Sequence, residues 1–132
     1  MMKRIISMIT TILLLFVALT GCASFFSNAT VTGFSGSQHG TVMKASFSSF
    51  NGDKGAYIPL KEGDKISIKY ELTCEDGALT LSFEDKSGNV LFTNSETAGT
   101  EEITADIGQR YTLRLTGAKA KGRYDVSWSI NP

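Results

Sequence analysis

Apolar and polar side chains alternate along most of the chain after residue 40, which is typical of half-buried β-strands and not of helices. In residues 65–74 one face carries Ile66, Ile68, Tyr70, Leu72 and Cys74, and the other carries only charged residues, serine and threonine. The same alternation marks residues 41–50, 56–60, 78–84, 90–94, 101–107, 111–115 and 124–130. Seven or eight antiparallel strands, each apolar on one face, predict an all-β domain: a β-sandwich or jelly roll, with an open barrel as the alternative.

Two dipeptides between these runs predict hairpin turns. Asp76-Gly77 is typical of a two-residue turn, because a type I′ turn needs positive φ at both central residues. That register pairs Cys74 with Leu79, Leu72 with Leu81, Tyr70 with Phe83 and Lys69 with Glu84. A slip of one residue would invert both faces, so the apolar pattern specifies this register. Ser87-Gly88 predicts a second turn, which places Phe92 opposite Phe83.

The N-terminus has the organisation of an export signal. An almost uninterrupted apolar run, residues 5–19, follows the basic pair Lys3 and Arg4. A transmembrane helix needs about 20 residues, so this shorter run suits the core of a signal peptide. The run ends in Leu19-Thr20-Gly21-Cys22, which resembles the lipobox of bacterial lipoproteins. The resemblance implies diacylglyceryl transfer to Cys22 and cleavage before it; the alternative is an ordinary secretory signal with an accidental cysteine.

The lipobox predicts how the chain is organised around the membrane. Residues 1–21 are the expected signal peptide, residues 22–40 the lipidated cysteine and a tether, and residues 41–132 the folded domain. The tether is expected to be flexible because it is rich in serine, glycine, asparagine and threonine, although residues 29–32 are alternatively a first strand. The expected location is the cell membrane or outer membrane, with the domain lipid-anchored outside the cytoplasm.

The last third of the chain carries a second resemblance. Within residues 101–130, a turn at Gly108 is followed by a strand that begins with Tyr111. A loop bounded by glycines (residues 117–122) then leads to a final strand with the pattern Tyr124, Val126, Trp128. This order resembles the C-terminal strands of small bacterial lipoproteins and of pre-peptidase C-terminal-type β-sandwich domains. The resemblance implies an extracytoplasmic β-sandwich and supplies no catalytic motif.

Charge and composition exclude several classes of function. Thirteen basic and thirteen acidic residues balance in the 132-residue chain. Two of the basic residues belong to the signal, so the remainder has 11 basic against 13 acidic residues, a net charge of −2. That balance argues against binding to nucleic acid, which needs a basic surface. One histidine and two cysteines leave little material for a metal site or a catalytic triad.

The individual reactive residues favour structural roles. His39 lies in a Ser-Gln-His-Gly segment without acidic neighbours, which predicts a solvated loop histidine. Cys74 is in phase with apolar residues, which predicts a buried small side chain, and lipidation of Cys22 would leave it without a disulfide partner. The acidic segments 51–53, 75–77 and 84–89 resemble fragments of calcium loops, but turn formation explains their glycines without an ion.

The predicted activity is therefore binding without catalysis, cofactor or metal. The pair Glu101 and Glu102 at a strand start predicts a solvated feature that protects a sheet edge. A hydrolase that uses only carboxylates would need an acid and a base about 5–10 Å apart in one cleft. Phe50, Tyr57 and Leu91 are out of phase with their apolar neighbours and are the candidate binding residues, unless they cover sheet edges. We expect a lipid-anchored module that binds an envelope protein or a glycan; the alternatives are a structural envelope lipoprotein or a carbohydrate-binding module.

Overall fold

The computed structural model describes residues 24–95 and 98–131, which form seven antiparallel strands. They are β1 (Ser24–Thr32), β2 (Ser35–His39), β3 (Val42–Leu60), β4 (Lys65–Glu84), β5 (Val90–Asn94), β6 (Ala98–Thr104) and β7 (Gln109–Asn131). No helix in these two segments is long and apolar enough to cross a bilayer. The predicted all-β antiparallel sandwich of seven or eight strands is confirmed.

Three strands are long and take part in both layers of the sandwich. β3, β4 and β7 have 19, 20 and 23 residues, and their pairing is irregular at residues 47–52, 74–78 and 117–122. The first layer has the order β1, 52–60, 109–117, 78–84, β5. The second layer has the order β2, 42–47, 122–131, 65–74, β6. The sheet therefore folds over on itself.

The two layers enclose one hydrophobic core. Phe25 of the first layer lies 6.2 Å from Trp128 of the second, measured between ring centroids. The largest fully buried side chains are Tyr124, Phe50, Phe83, Met43, Ile58, Ile66, Ile68, Leu81, Leu113, Leu115 and Val126. Their alternation along the long strands places one apolar row from each strand between the layers, and burial of these rows stabilises the fold.

Glycines permit the bends of the long strands. Gly77 of β4 has φ +74°, and a Cβ at this position would lie 2.2 Å from the carbonyl oxygen of Lys119 in β7. At Gly117 of β7, a Cβ would lie 1.6 Å from Cδ1 of Phe50. Because neither position has room for a side chain, glycine allows neighbouring strands to stay close where the sheet turns. We call this edge of the molecule the bend end, and the opposite edge, where the long strands begin and finish, the open end.

The predicted hairpin at Asp76-Gly77 is wrong. β4 continues through this dipeptide, and its two halves pair with β7 instead of with each other: Leu72 faces Tyr124, and Leu81 faces Leu115. The positive φ that the glycine supplies serves a bend in one strand, not a reversal between two. The predicted loop at residues 117–122 is likewise wrong, because it is the matching bend of β7.

The predicted tether is wrong for the part of it that the structure describes. β1 and β2 occupy Ser24–Thr32 and Ser35–His39, so the sandwich begins well before residue 41. β1 pairs along its whole length with β3, and Phe25, Ala29 and Val31 pack against the core. The alternative of a strand at residues 29–32 is confirmed. The polar residues that suggested a flexible segment are mostly exposed on these edge strands. Residues 1–23, with the signal and Cys22, lie outside the described residues.

The second predicted turn is confirmed. The amide of Gly88 donates to the carbonyl oxygen of Asp85, and β5 then returns along β4 with Phe92 opposite Phe83. The two rings stack with centroids 6.0 Å apart. The hairpin makes β5 the edge strand of the first layer, beside β4.

Candidate binding surface

The structure separates the three residues predicted to bind a ligand. Phe50 is fully buried, so its assignment to an exposed site is wrong. The irregular pairing between Phe47 and Gly52 shifts the alternation and turns Phe50 inward, where its ring lies 5.2 Å from that of Phe47. Tyr57 is half-buried on the outer face of the first layer. Leu91 is 44% exposed at the open end and lies three strands across the layer from Tyr57, on β5 beside Val90, which pairs with Glu84.

Tyr57 belongs to a stack of planar side chains on that outer face. The ring of Phe26 stacks on the Tyr57 ring, with centroids 4.8 Å apart and an interplanar angle of 25°. The guanidinium carbon of Arg110 lies 4.2 Å from the Tyr57 centroid. Gly55 makes room for the stack, since a Cβ there would lie 2.9 Å from Cζ of Phe26. Phe26 thus covers backbone that the glycine leaves bare.

Arg114 connects the stack to two carboxylates. Its Nη1 lies 3.0 Å from Oδ2 of Asp53, and its Nε lies 3.3 Å from Oε1 of Glu84. The guanidinium carbon is 5.4 Å from the Phe26 centroid. Thr116 donates its hydroxyl to the other oxygen of Asp53 at 2.9 Å. All these side chains share one face because adjacent strands hold them in register, and Thr112 is buried between Tyr57 and Glu84.

We call this set the aromatic–arginine cluster: Phe26, Tyr57, Arg110 and Arg114, with Asp53 and Glu84. Aromatic rings present flat apolar surfaces to C–H groups, whereas guanidinium and carboxylate groups donate to and accept from hydroxyls. Arg110 is exposed and covers the Tyr57 ring, so a ligand reaches that ring when the guanidinium swings aside. The cluster is therefore suited to a ligand that is apolar on its faces and rich in hydroxyls on its rim.

The outer face of the second layer has a different character. Grooves of about 460 and 340 Å³ run over it, and both are lined by Glu71 and Asp125, which face each other in register on β4 and β7. Nζ of Lys44 lies 3.4 Å from Oδ2 of Asp125. These are two carboxylates that line the same grooves, but Glu71 is exposed and Asp125 is in an exposed ion pair. Small side chains leave the grooves open to water.

The remaining candidate residues take no part in the cluster. His39 is exposed at the end of β2, as predicted. Cys74 is exposed, so its predicted burial is wrong; the bend carries it out of the core, and its Sγ donates to the carbonyl oxygen of Asp76 at 3.2 Å. In the described part of the chain, no group of three or more His, Cys, Asp or Glu side chains is placed to hold a metal ion.

The carboxylate of Asp85 accepts hydrogen bonds from residues of the turn that it begins. It accepts hydrogen bonds from the backbone amides of Ser87 and Asn89 and from the side-chain amide of Asn89, each at 2.9 Å. The hydrogen bonds from Asn89, then those from the turn backbone, lower the pKa of Asp85 below its usual value. Turn formation thus accounts for the calcium-like pattern of residues 84–89 without an ion.

Sequence comparison identifies no relative, whereas comparison of folds does. No protein-family model matches the chain, and no curated protein sequence matches it. A solved structure described as "CBM4 structure and function" is similar over 83% of this chain and 86% of its own, with 10% identity and a TM-score of 0.52. This chain shares the fold of carbohydrate-binding modules. Its 10% identity to that module extends the likeness to the fold alone.

Two further solved structures resemble the chain less closely. The CBM22-1 xylan-binding domain of Paenibacillus barcinonensis Xyn10C is 12% identical and has a TM-score of 0.41, covering 83% of this chain and 85% of its own. The periplasmic lysozyme inhibitor PliG of Aeromonas hydrophila is 7% identical and has a TM-score of 0.46, covering 84% and 88%.

Proposed function

We propose that this protein is a lipid-anchored module that binds a glycan outside the cytoplasm and has no catalytic role. The observation that carries the proposal is the aromatic–arginine cluster on the outer face of the first layer, with Phe26 stacked on Tyr57 at 4.8 Å. The fold shared with a carbohydrate-binding module supports it. The lipobox Leu19-Thr20-Gly21-Cys22 supports the anchor.

The cluster supplies both kinds of contact that a sugar ring requires. The C–H face of a pyranose packs on the ring of Tyr57 after Arg110 moves away, and Phe26 extends the apolar surface. Arg110 then donates to hydroxyls at the rim, and the exposed part of Asp53 accepts from them. Arg114 forms ion pairs with Asp53 and Glu84, so its side chain is held beneath the sugar and keeps its conformation when the sugar binds.

Affinity electrophoresis with the full chain in mild detergent tests the glycan site. The protein is run through gels that contain xylan or mixed-linkage β-glucan, and sedimented with peptidoglycan. The wild type is expected to be retarded or to co-sediment with at least one of these polymers. Tyr57→Ala and Arg110→Ala are expected to weaken that binding about tenfold or more, which corresponds to about 1.4 kcal/mol.

Lys69→Ala is the matched control, because it removes an exposed cation from the outer face of the other layer. It is expected to bind like the wild type, and circular dichroism confirms that all variants are folded. The proposal is overturned if no polymer is bound, or if Lys69→Ala weakens binding as much as the cluster variants do.

A further inference from the structure

We infer that the open end of the sandwich rests on the bilayer, with Val90, Leu91, Ile107 and Ile130 in contact with lipid. The inference rests on the lipid attachment at Cys22 that is part of the proposed function. The new element is the identity of the domain surface that contacts the membrane. It also gives a role to Leu91, a predicted binding residue that lies on edge strand β5, next to Val90, which pairs with Glu84 of the aromatic–arginine cluster.

The exposed apolar side chains are concentrated at one end of the molecule. Among the described residues, five large hydrophobic side chains are exposed: Phe34 (40%), Val90 (55%), Leu91 (44%), Ile107 (58%) and Ile130 (39%). The last four lie at the open end, because each long strand bends once and so begins and finishes on the same side. Only Phe34 lies at the bend end, and there Nζ of Lys54 lies 3.9 Å from its ring centroid.

Part of this apolar surface forms a groove. Leu91 of β5 and Ile107 of the loop before β7 line it together with Ile103 and Tyr111, around a volume of about 450 Å³, and the acidic residues Asp85, Glu102 and Asp106 form its rim. The hydroxyl of Tyr111 donates to the carbonyl oxygen of Ile107 at 3.1 Å, which holds the loop in place. Apolar side chains that the fold holds together in this way can contact the apolar part of a membrane.

Chain connectivity places the lipid at the same end. β1 begins at Ser24, two residues after Cys22, and two residues span at most about 7 Å. β1 runs from the open end toward the bend end, since Ser24 pairs with Tyr57 and Thr32 pairs with Ser49. Ser24, the first residue of β1, therefore lies toward the open end. With no long tether after the anchor, a lipidated Cys22 holds this end against the headgroups.

The charges of the open end favour apolar contact over electrostatic attraction. Its loops and strand ends carry four basic residues, Lys61, Lys65, Lys86 and Arg110, and six acidic residues, Glu62, Asp64, Glu84, Asp85, Glu102 and Asp106. Because the acidic residues outnumber the basic ones, anionic headgroups do not attract this end. The lipid supplies the attachment, and the four apolar side chains orient the domain by entering the boundary of headgroups and acyl chains.

A polarity-sensitive fluorophore on single cysteines tests this orientation. Ile107→Cys and the control Phe34→Cys are each made in the full chain with Cys74→Ser, so that one described thiol is labelled in each. The lipidated proteins are reconstituted in vesicles of phosphatidylethanolamine and phosphatidylglycerol in a 3:1 ratio. We expect the emission of the label at position 107 to shift to shorter wavelength on reconstitution, and the label at position 34 to keep its emission in water.

The outcomes distinguish the orientation from the anchor. If the protein floats with the vesicles but both labels keep their emission in water, the orientation is wrong while the anchor stands. If the protein does not float and Cys22 reacts with the fluorophore, the anchor is wrong and the orientation falls with it. Glycan binding by the Tyr57 surface is measured separately in detergent, so its failure is seen independently of both results.

Discussion

The hydroxyl of Tyr124 is an unusual group for a core that is otherwise apolar. Its ring lies 5.9 Å from that of Phe47 between the layers, and its buried oxygen has no hydrogen-bond partner among residues 24–95 and 98–131. Burial raises the pKa of Tyr124 to about 12, and the nearby side chain of Gln38 opposes that rise without reaching hydrogen-bonding geometry. The neutral phenol is therefore the form that the folded protein accommodates.

This residue makes the stability of the protein sensitive to base. The unfolded state loses the Tyr124 proton near pH 10, whereas the folded state keeps it until about pH 12. Above pH 10 the unfolded state therefore binds fewer protons, and the free energy of unfolding falls by up to about 1.4 kcal/mol per pH unit. Tyr124→Phe is expected to remove this part of the fall and, by removing an unpartnered hydroxyl, to stabilise the protein slightly at pH 7.

Urea unfolding of the wild type and Tyr124→Phe at pH 7, 9, 10.5 and 11.5 measures the difference. Other groups that titrate in base affect both proteins alike, so the gap between the two curves isolates Tyr124. The gap is expected to widen in favour of the variant from pH 10 upward. Parallel curves would show that the phenol ionises equally easily in both states.

At the scale of the element, the bend glycines can be distinguished from ordinary turn glycines. Gly77 and Gly88 have similar positive φ angles, +74° and +90°. A Cβ at Gly77 would meet backbone oxygens of β7 at 2.2 and 2.5 Å, whereas a Cβ at Gly88 would meet nothing within 4 Å. The same substitution thus adds backbone strain at both positions but a steric clash at only one.

Gly88→Ala is expected to cost about 1 kcal/mol of stability from strain alone. Gly77→Ala is expected to cost about 3 kcal/mol or more, because β4 and β7 must also move apart at the bend. Thermal and urea unfolding of the two variants beside the wild type gives both values. Equal losses would mean that the bend yields easily and that the close approach of the strands is not required.

The alternation of side chains predicted the buried face of each strand, but local patterns did not predict the strand partners. The positive φ at Gly77 is compatible with a hairpin turn and with a bend within one strand. Which of the two forms depends on pairing with β7, some 40 residues away in sequence. The errors at Phe50 and Cys74 share this cause, since both lie where irregular pairing shifts the alternation.

The candidate site was predicted only in part. Tyr57 was identifiable because it alternates with the buried residues Ala56 and Ile58. Phe26 was missed because its segment is rich in polar residues and was assigned to the tether. Arg110 and Arg114 alternate with Tyr111 and Leu113, so their outward direction was readable from the sequence. Their place beside Tyr57 was not, because it depends on the pairing of β3 with β7.

For the whole molecule, the attachment to the membrane is the prediction on which the orientation of the domain depends. Cys22→Ala is expected to abolish diacylglyceryl transfer and to release the protein from the membrane fraction. Intact mass spectrometry and fractionation of the wild type and the variant measure this. The wild type should lack residues 1–21, carry the added lipid mass and stay with the membrane. A soluble wild type with a free thiol at Cys22 would contradict the prediction and indicate a freely secreted domain.

The position of β7 bears on the order in which the molecule is made. This strand is the last one along the described chain, yet it lies between β3 and β4 in both layers. Val42 pairs with Ser127, and Lys65 with Asn131, so these contacts form only after β7 has been synthesised. Folds rich in such distant pairings form slowly. A chain still emerging from the ribosome therefore lacks the central strand of both layers until β7 is complete.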